Sequence, residues 1–244
     1  LGIKTRYMVH GEGEPAVLLH GLGGSVASWR ANIEPLSKLF KVYAIDLPGH
    51  GASEKPDIDY NLPFAVRFLN AFWGEERLGR AWLMGISTGG LVALEFAYQF
   101  PERAEGLVLV GSVGFGRELA LFLRLMSVPL LGEVMSVPSR RNVSALLRTI
   151  FYNPDSIPPE IIEELYGYRK SPGAKKAVLK ALRSGVSLTG LHKSLLMFEK
   201  AKALHLPTLI AWGENDRIAP ATQAHRAQQA IEGSQLHIFP SCGH

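Results

Sequence analysis

The chain has 244 residues, of which 47% are hydrophobic and 20% are charged, a composition typical of a globular protein and unlike that of disordered or fibrous chains. This length suits one domain, or one domain that carries an insert. The single cysteine, Cys242, excludes an internal disulfide bond and a zinc module, so we expect a reducing, cytoplasmic location. The longest stretch without Lys, Arg, Asp or Glu, Pro15 to Trp29, is shorter than a bilayer span, so no transmembrane helix is predicted.

Short apolar runs alternate with longer helical patterns along most of the chain. Arg6–His10, which a Gly-rich turn joins to the first apolar run, is predicted to be an antiparallel edge strand. The apolar runs predict buried strands at residues 16–19, 42–45, 81–84, 107–110, 208–211 and 236–239. The helical patterns cover residues 27–39, 63–75, 89–100 and 220–231. This alternation predicts an α/β fold with a doubly wound, mostly parallel sheet.

Residues 112–206 interrupt the alternation, because no strand rich in Val and Ile occurs there. Helical patterns fill the segment, at 117–126, 143–151, 159–169, 174–183 and 188–200. We therefore expect residues 112–206 to be a helical subdomain inserted between two late strands of a core formed by residues 1–111 and 207–244. The segment has 14 Lys and Arg against 7 Asp and Glu, so it accounts for the chain's net charge of +4. No groove-reading motif accompanies this charge, and nucleic-acid binding is not expected.

A candidate nucleophile lies where a predicted strand gives way to a predicted helix. The sequence Gly85-Ile86-Ser87-Thr88-Gly89 has the G-x-S-x-G pattern, in which two glycines permit a sharp turn that exposes the serine hydroxyl. The backbone N–H of Thr88, at the start of the new helix, would face a developing oxyanion. By itself the pattern is weak, and its position at a strand-to-helix junction strengthens it.

A Gly-rich loop, His20-Gly21-Leu22-Gly23-Gly24-Ser25, follows the first buried strand. A dinucleotide-binding G-x-G-x-x-G is excluded because the last position is Val26. The loop could simply turn the chain. In acyl-transfer chemistry it would supply a second oxyanion donor, the N–H of Leu22 or of Gly23.

If Ser87 is a nucleophile, it needs a base and an acid that orients the base. Of the eight histidines, only His244 follows the last strand in a loop, at the sheet edge where ligands of such folds bind. The loop after the strand at 208–211 contains two candidate acids, Glu214 and Asp216, and the residues alone leave the choice between them open.

Together these motifs resemble the α/β-hydrolase superfamily. The loops at 20–25, 46–53, 85–90, 212–216 and 242–244 are similar to its oxyanion loop, its second-strand loop, its nucleophile elbow, its acid loop and its histidine loop. The resemblance implies a triad of Ser87, Asp216 and His244, with the N–H groups of Leu22 and Thr88 as the oxyanion hole. It implies that the helical segment at 112–206 is a cap over the elbow, and it implies no cofactor and no metal. The serine argues against the dehalogenase and epoxide hydrolase branches, which use aspartate at the elbow.

The predicted function is a serine esterase or related acyl hydrolase that acts on a largely apolar small molecule through an acyl-enzyme. An alternative is a carbon-carbon bond hydrolase of ring-cleavage products, whose anionic substrates suit a basic cap. A second alternative is a ligand receptor or inactive scaffold that keeps the triad.

Overall fold

A central sheet of seven strands organises the computed structural model, which describes residues 1–244. The strands of the chain are β1 (Tyr7–His10), β2 (Glu14–Leu19), β3 (Phe40–Ile45), β4 (Ala81–Ile86), β5 (Ala104–Val110), β6 (Val186–Ser187), β7 (Gly190–Leu191), β8 (Thr208–Gly213) and β9 (Gln235–Phe239). The order across the main sheet is β1-β3-β2-β4-β5-β8-β9, and β6 pairs with β7 in a separate hairpin. All neighbours in the main sheet are parallel except β1 and β3. The predicted doubly wound, mostly parallel α/β fold is confirmed.

The edge strand differs in one respect from its prediction. β1 is antiparallel and lies at the edge of the sheet, as predicted, but it pairs with β3. The Gly-rich turn between β1 and β2 therefore does not close a hairpin. β2 has no free edge for β1, since it pairs with β3 on one side and with β4 on the other.

Ten α-helices accompany the strands. They are α1 (Arg30–Ser37), α2 (Leu62–Glu75), α3 (Thr88–Gln99), α4 (Leu121–Met126), α5 (Leu131–Met135), α6 (Arg140–Ile150), α7 (Pro159–Lys170), α8 (Ala174–Gly185), α9 (Phe198–Lys202) and α10 (Thr222–Ala230). None of them is both long and apolar enough to cross a membrane.

The strands are apolar throughout because both faces of the sheet are covered. Along β2, Val17 and Leu19 belong to the larger core cluster, which also contains buried residues of α2, α3 and α10. Ala16 and Leu18 belong to the smaller cluster on the opposite face, with Ile33 of α1. Period-two alternation thus divides one apolar strand between two cores.

Residues 111–207 lie between β5 and β8 and contain the predicted insert at 112–206, which we call the inserted segment. It is mainly helical, as predicted, but two of its predicted helices are wrong. The pattern at 117–126 becomes helical only at Leu121, and the pattern at 188–200 contains β7 and the short α9 instead of one long helix. Gly190 explains the second error, because its φ of +98° is a left-handed turn conformation and a Cβ there would overlap the Arg117 carbonyl. The short helix α5 was not predicted.

Candidate active site

The predicted site residues follow neighbouring strands of the sheet at their carboxyl ends. The strands β2, β4, β5, β8 and β9 are adjacent and parallel, so their carboxyl ends meet along one edge. Crevices at this edge are where open α/β sheets bind ligands. Sequence positions more than 200 residues apart, such as His20 and His244, are thereby gathered at one edge of the sheet.

Ser87 occupies a sharp turn between β4 and α3. Its φ and ψ of 56° and −118° are unusual for a residue with a side chain and cost roughly 1–3 kcal/mol. The backbone N–H of Ser87 donates to the Val110 carbonyl at 2.9 Å, which ties the turn to the end of β5. A Cβ on Gly85 would overlap the Gly89 carbonyl, and a Cβ on Gly89 would overlap the Leu19 carbonyl. The glycines of the pattern are therefore required by close backbone packing.

Asp216 and His244 are in direct contact. His244 Nδ1 lies 2.6 Å from Asp216 Oδ2, and the side chains are 8% and 0% exposed respectively. The other oxygen, Oδ1, accepts the N–H groups of Ile218 at 2.7 Å and Ala219 at 2.9 Å. Since a carboxylate only accepts, we assign the proton to Nδ1, which leaves the lone pair of Nε2 free to act as a base. Glu214, the other candidate acid, is exposed.

The end of β5 separates Ser87 from this pair. A Cβ on Gly111 would lie 3.1 Å from His244 Nδ1 and 3.4 Å from Asp216 Oδ2, so the ring packs against the Gly111 backbone. No hydrogen bond joins Ser87 Oγ to His244 in the structure. Such bonds are often long or absent before substrate binds. The backbone N–H of His244 donates to the Ile150 carbonyl at 2.8 Å, which ties the histidine loop to the inserted segment.

The Gly-rich loop lies beside Ser87, because a Cβ on Gly21 would be 3.7 Å from Ser87 Oγ. The N–H of Leu22 makes no hydrogen bond within the protein. Thr88 is the first residue of α3, where a backbone N–H has no partner within the helix. Both predicted oxyanion donors therefore have backbone N–H groups available to a ligand.

His20 orients this loop, a role that the sequence did not reveal. Its Nε2 accepts the Leu47 N–H at 3.0 Å, so Nδ1 carries the proton and donates to the Gly21 carbonyl at 2.7 Å. The Gly21 carbonyl and the Leu22 N–H belong to one planar trans peptide and point in opposite directions. Holding the carbonyl therefore sets the direction of the N–H. Burial lowers the pKa of His20 to about 4, so the ring is neutral.

Asp46 joins the Gly-rich loop to the loop after β3, and this role was also missed. Its buried carboxylate accepts the N–H groups of Val26 at 2.6 Å and Ala52 at 2.8 Å. In the same loop, His50 is buried with its ring centroid 5.2 Å from that of His20, and burial lowers its pKa to about 3. Spacing in the sequence gives no signal for these contacts, because they join separate loops.

A cleft of about 800 Å³, including its open mouth, adjoins the Gly-rich loop and the start of α3. Of its 22 lining residues 14 are hydrophobic; they include Leu22 and Leu91 of the core and Leu182 and Leu191 of the inserted segment. Ser87 and His244 do not line it, whereas Leu22 and Thr88 do. The cleft is therefore suited to hold an apolar group next to the predicted oxyanion donors.

A second, polar pocket of about 460 Å³, including its open mouth, shares His50 with the cleft. Three cations line it: Lys55, Arg169 and Lys175. The Arg169 guanidinium lies against Gly23 of the Gly-rich loop, whose Cβ would be 3.7 Å away. It has no carboxylate partner, and burial lowers its pKa. No cluster of His, Cys, Asp and Glu in the structure is arranged to hold a metal ion.

Comparison with known proteins identifies the family. The sequence model described as "alpha/beta hydrolase fold" matches residues 15–244. The chain belongs to the α/β hydrolase fold family. The predicted family resemblance is thereby confirmed.

Individual relatives of this α/β hydrolase differ in their named activities. It is 33% identical to 2-hydroxy-6-oxo-2,4-heptadienoate hydrolase of Pseudomonas putida, over 100% of this chain and 87% of that protein. It is 31% identical to the dihydrolipoyllysine-residue acetyltransferase component of the acetoin cleaving system of Cupriavidus necator, over 100% of this chain and 62% of that protein. The structure of a meta-cleavage product hydrolase from Pseudomonas fluorescens superimposes with a TM-score of 0.85 at 27% identity, covering 100% of this chain and 88% of that one.

Proposed function

We propose that this α/β hydrolase is an enzyme that breaks the bond beside a carbonyl carbon in a largely apolar small molecule that carries a carboxylate. Dienoates produced by aromatic ring cleavage form one such class, and two of the relatives named above are hydrolases of it. The single observation that carries the proposal is Arg169, a half-buried cation without a carboxylate partner, beside the Gly-rich loop. A buried charge without a partner is costly, so a substrate carboxylate is its natural partner.

In the proposed mechanism, Ser87 Oγ attacks the carbonyl carbon and its proton passes to His244 Nε2. Asp216 holds the imidazole in the required tautomer and stabilises its cation. The N–H groups of Leu22 and Thr88 form the oxyanion hole and bind the tetrahedral oxygen, a contribution of several kcal/mol in such sites.

When the intermediate collapses, the electron pair of the broken bond leaves with the departing fragment, which takes the proton from His244. In a 2-hydroxy-6-oxo-dienoate the enol first has to tautomerise, so that the 2-hydroxyl proton moves to C5 and C2 becomes a carbonyl carbon. The pair of the broken C5–C6 bond is then delocalised as a dienolate toward the carboxylate end, where Arg169 would bind it. Water, activated by His244, then hydrolyses the acyl-enzyme and frees Ser87. The Ser87–His244 hydrogen bond has to form when substrate binds, since it is absent in the structure.

We also propose that the segment at 112–206 acts as a cap over the site. Its residues Leu182, Val186, Leu191 and Leu195 form part of the cleft wall. A reducing, cytoplasmic location remains our proposal, and the lone Cys242 supports it.

A simple ester of an apolar acid is the second candidate substrate. The predominantly hydrophobic lining of the cleft favours an ester substrate, because an uncharged acyl chain can bury its apolar surface against this lining. The two candidates differ in whether Arg169 contributes to turnover.

The test compares a 2-hydroxy-6-oxo-dienoate with p-nitrophenyl esters of increasing acyl length, in the wild type and in Arg169→Gln. Loss of a charge-assisted hydrogen bond, ~1.5–3 kcal/mol, should lower kcat/KM for the dienoate by about 10- to 100-fold and leave the neutral ester nearly unchanged. Lys170→Gln is the matched control, since Lys170 is the neighbouring cation and is exposed. Equal effects of Arg169→Gln on both substrates, or turnover of esters alone, would contradict the dienoate proposal.

Ser87→Ala should abolish turnover of every substrate in this panel. If Ser87→Ala retained wild-type turnover, or if the wild type bound these compounds without converting them, the hydrolase mechanism would be wrong and a receptor or scaffold role would replace it.

A further inference from the structure

The inserted segment exposes several large aliphatic side chains on and beside α4 and α5. Their exposed fractions range from 40% for Leu131 to 81% for Leu130. Leu188, which is 51% exposed, lies at the tip of the β6–β7 hairpin, and its carbonyl accepts a hydrogen bond from Arg124 of α4 at 2.6 Å. α4 also contacts α5 and β6. We call this surface the aliphatic face; its members are Leu121, Leu130, Leu131, Val134, Val137 and Leu188.

Leu130 is unusual in two ways. It is the most exposed large hydrophobic residue of the chain, and its φ of +68° lies in the region that favours glycine. Neither packing within the protein nor backbone geometry therefore accounts for a leucine at this position. A contact outside the protein would account for it, because contiguous exposed apolar surface marks interaction sites.

The charged residues around the aliphatic face indicate the charge of the partner that would bind there. Between residues 120 and 142 the basic residues are Arg124, Arg140 and Arg141, and the one acidic residue is Glu133. Glu133 is already neutralised by Arg183, with N–O distances of 2.6 and 2.7 Å. Arg140 is likewise neutralised by Glu163 of α7, with N–O distances of 2.6 and 2.9 Å, so the positive charge of the rim comes from Arg124 and Arg141. The face therefore combines aliphatic side chains with a rim that has these two unpaired arginines and no free carboxylate.

A second copy of the chain would present the same positive rim, and like charges would oppose a symmetric contact between two such faces. We propose that the aliphatic face docks on the surface of a bilayer that contains anionic lipids, with Leu130 and Val134 entering the interface and Arg124 and Arg141 lying near the headgroups. Aliphatic insertion and basic residues together are what reversible binding to such a surface requires.

The aliphatic face is continuous with the wall of the cleft. Val186 of β6 lines the cleft, and Leu188 follows it two residues later on the exposed side. Docking would bring this side of the cleft toward the bilayer, where apolar molecules are concentrated. The proposal concerns binding alone and does not depend on the substrate proposed above.

The test measures co-sedimentation of the protein with two kinds of vesicle: phosphatidylcholine alone, and phosphatidylcholine in which about one lipid in three is phosphatidylglycerol. The wild type should bind the anionic vesicles and bind them less as salt is raised. The double variant Leu130→Ser/Val134→Ser should bind about tenfold more weakly, since two apolar side chains no longer enter the interface. Arg141→Gln should weaken binding about fivefold.

The matched control variants change exposed residues outside the inserted segment. Leu39→Ser changes a leucine that is 72% exposed but lies outside the aliphatic face, and Arg67→Gln changes an exposed arginine of α2. Both should bind vesicles as the wild type does. Circular dichroism and urea unfolding in the absence of vesicles check that Leu130→Ser/Val134→Ser is folded.

Three results would overturn the proposal. The first is a wild type that binds anionic vesicles no better than zwitterionic ones, and the second is a Leu130→Ser/Val134→Ser variant that binds as well as the wild type. The third is a concentration-dependent dimer, measured by light scattering, that this variant dissociates, because the occupant of the face would then be a second copy.

Discussion

His20 offers a way to separate the stability of the Gly-rich loop from its chemistry, because its two ring nitrogens make different hydrogen bonds. Nδ1–H donates to the Gly21 carbonyl and Nε2 accepts the Leu47 N–H. The amide nitrogen of asparagine reaches the position of Nδ1, and the amide oxygen of glutamine reaches that of Nε2. His20→Asn therefore keeps the first bond and His20→Gln keeps the second.

The expected magnitudes follow from these bonds. In His20→Asn the Leu47 N–H loses its partner, which should lower the free energy of unfolding by ~1–3 kcal/mol, while Leu22 N–H stays oriented. In His20→Gln the bond to Gly21 is lost, at a cost of ~1 kcal/mol in stability, because Gly24 N–H still donates to the same carbonyl. With only the Gly24 bond left on the Gly21 carbonyl, the Leu22 N–H is oriented less tightly, so kcat should fall by about 10-fold, part of the effect of removing an oxyanion donor.

Urea unfolding gives the free energies, and steady-state kinetics on the best substrate of the panel gives kcat and KM separately. KM should change little in either variant, since the interaction acts on the transition state. His225→Gln, at an exposed histidine of α10, is the control. If His20→Asn and His20→Gln lowered kcat equally, the orientation of the Gly21–Leu22 peptide by His20 would not be the cause.

Three further predictions concern the same edge of the sheet. Burial lowers the pKa of His20 to about 4, below the ordinary 6.5 of the unfolded chain, so its contribution to stability is present above pH 6.5 and is lost as pH falls toward 4. By pH 5 the loss from His20 should be about 2 kcal/mol in urea titrations, and His20→Asn should remove this part while the loss from His50, whose pKa is also lowered, remains. Gly111→Ala should lower kcat by about 100-fold, because the new Cβ would lie 3.1 Å from His244 Nδ1 and displace the ring. Gly79→Ala is the control and should leave kcat unchanged, since a Cβ there would meet nothing within 4 Å. An unchanged kcat in Gly111→Ala would contradict the packing of His244 against Gly111. Asp216→Asn should lower kcat by about 10³–10⁴-fold by favouring the wrong imidazole tautomer, and Glu214→Gln should have no effect; the reverse pattern would assign the acid to Glu214.

Much of the fold could be predicted because its strands are short apolar runs bounded by turns. Every strand of the main sheet was anticipated, with ends within a few residues of those observed. The inserted segment was harder, since helical and extended conformations compete over short apolar stretches. Around Gly190 the chain forms a turn instead of a helix, because this turn packs against Arg117, which lies 73 residues earlier in the chain.

At the site, the motif residues Ser87, Asp216 and His244 could be named as candidates because reactive side chains follow strands in a fixed order. The supporting residues could not. His20 and Asp46 make contacts between separate loops, and Arg169 of α7 lies against the Gly-rich loop; no spacing in the sequence records those contacts.

By itself, the sequence determined the α/β alternation, the glycines of the elbow and the place of the positive charge, because each depends on local composition and on the steric needs of one turn. Only the tertiary structure put Asp216, and not the exposed Glu214, in contact with His244, gave His20 its tautomer, and left Arg169 half-buried without a carboxylate partner. Burial and hydrogen-bond direction depend on which loops meet, and the loops meet only when parallel strands bring their carboxyl ends to one edge.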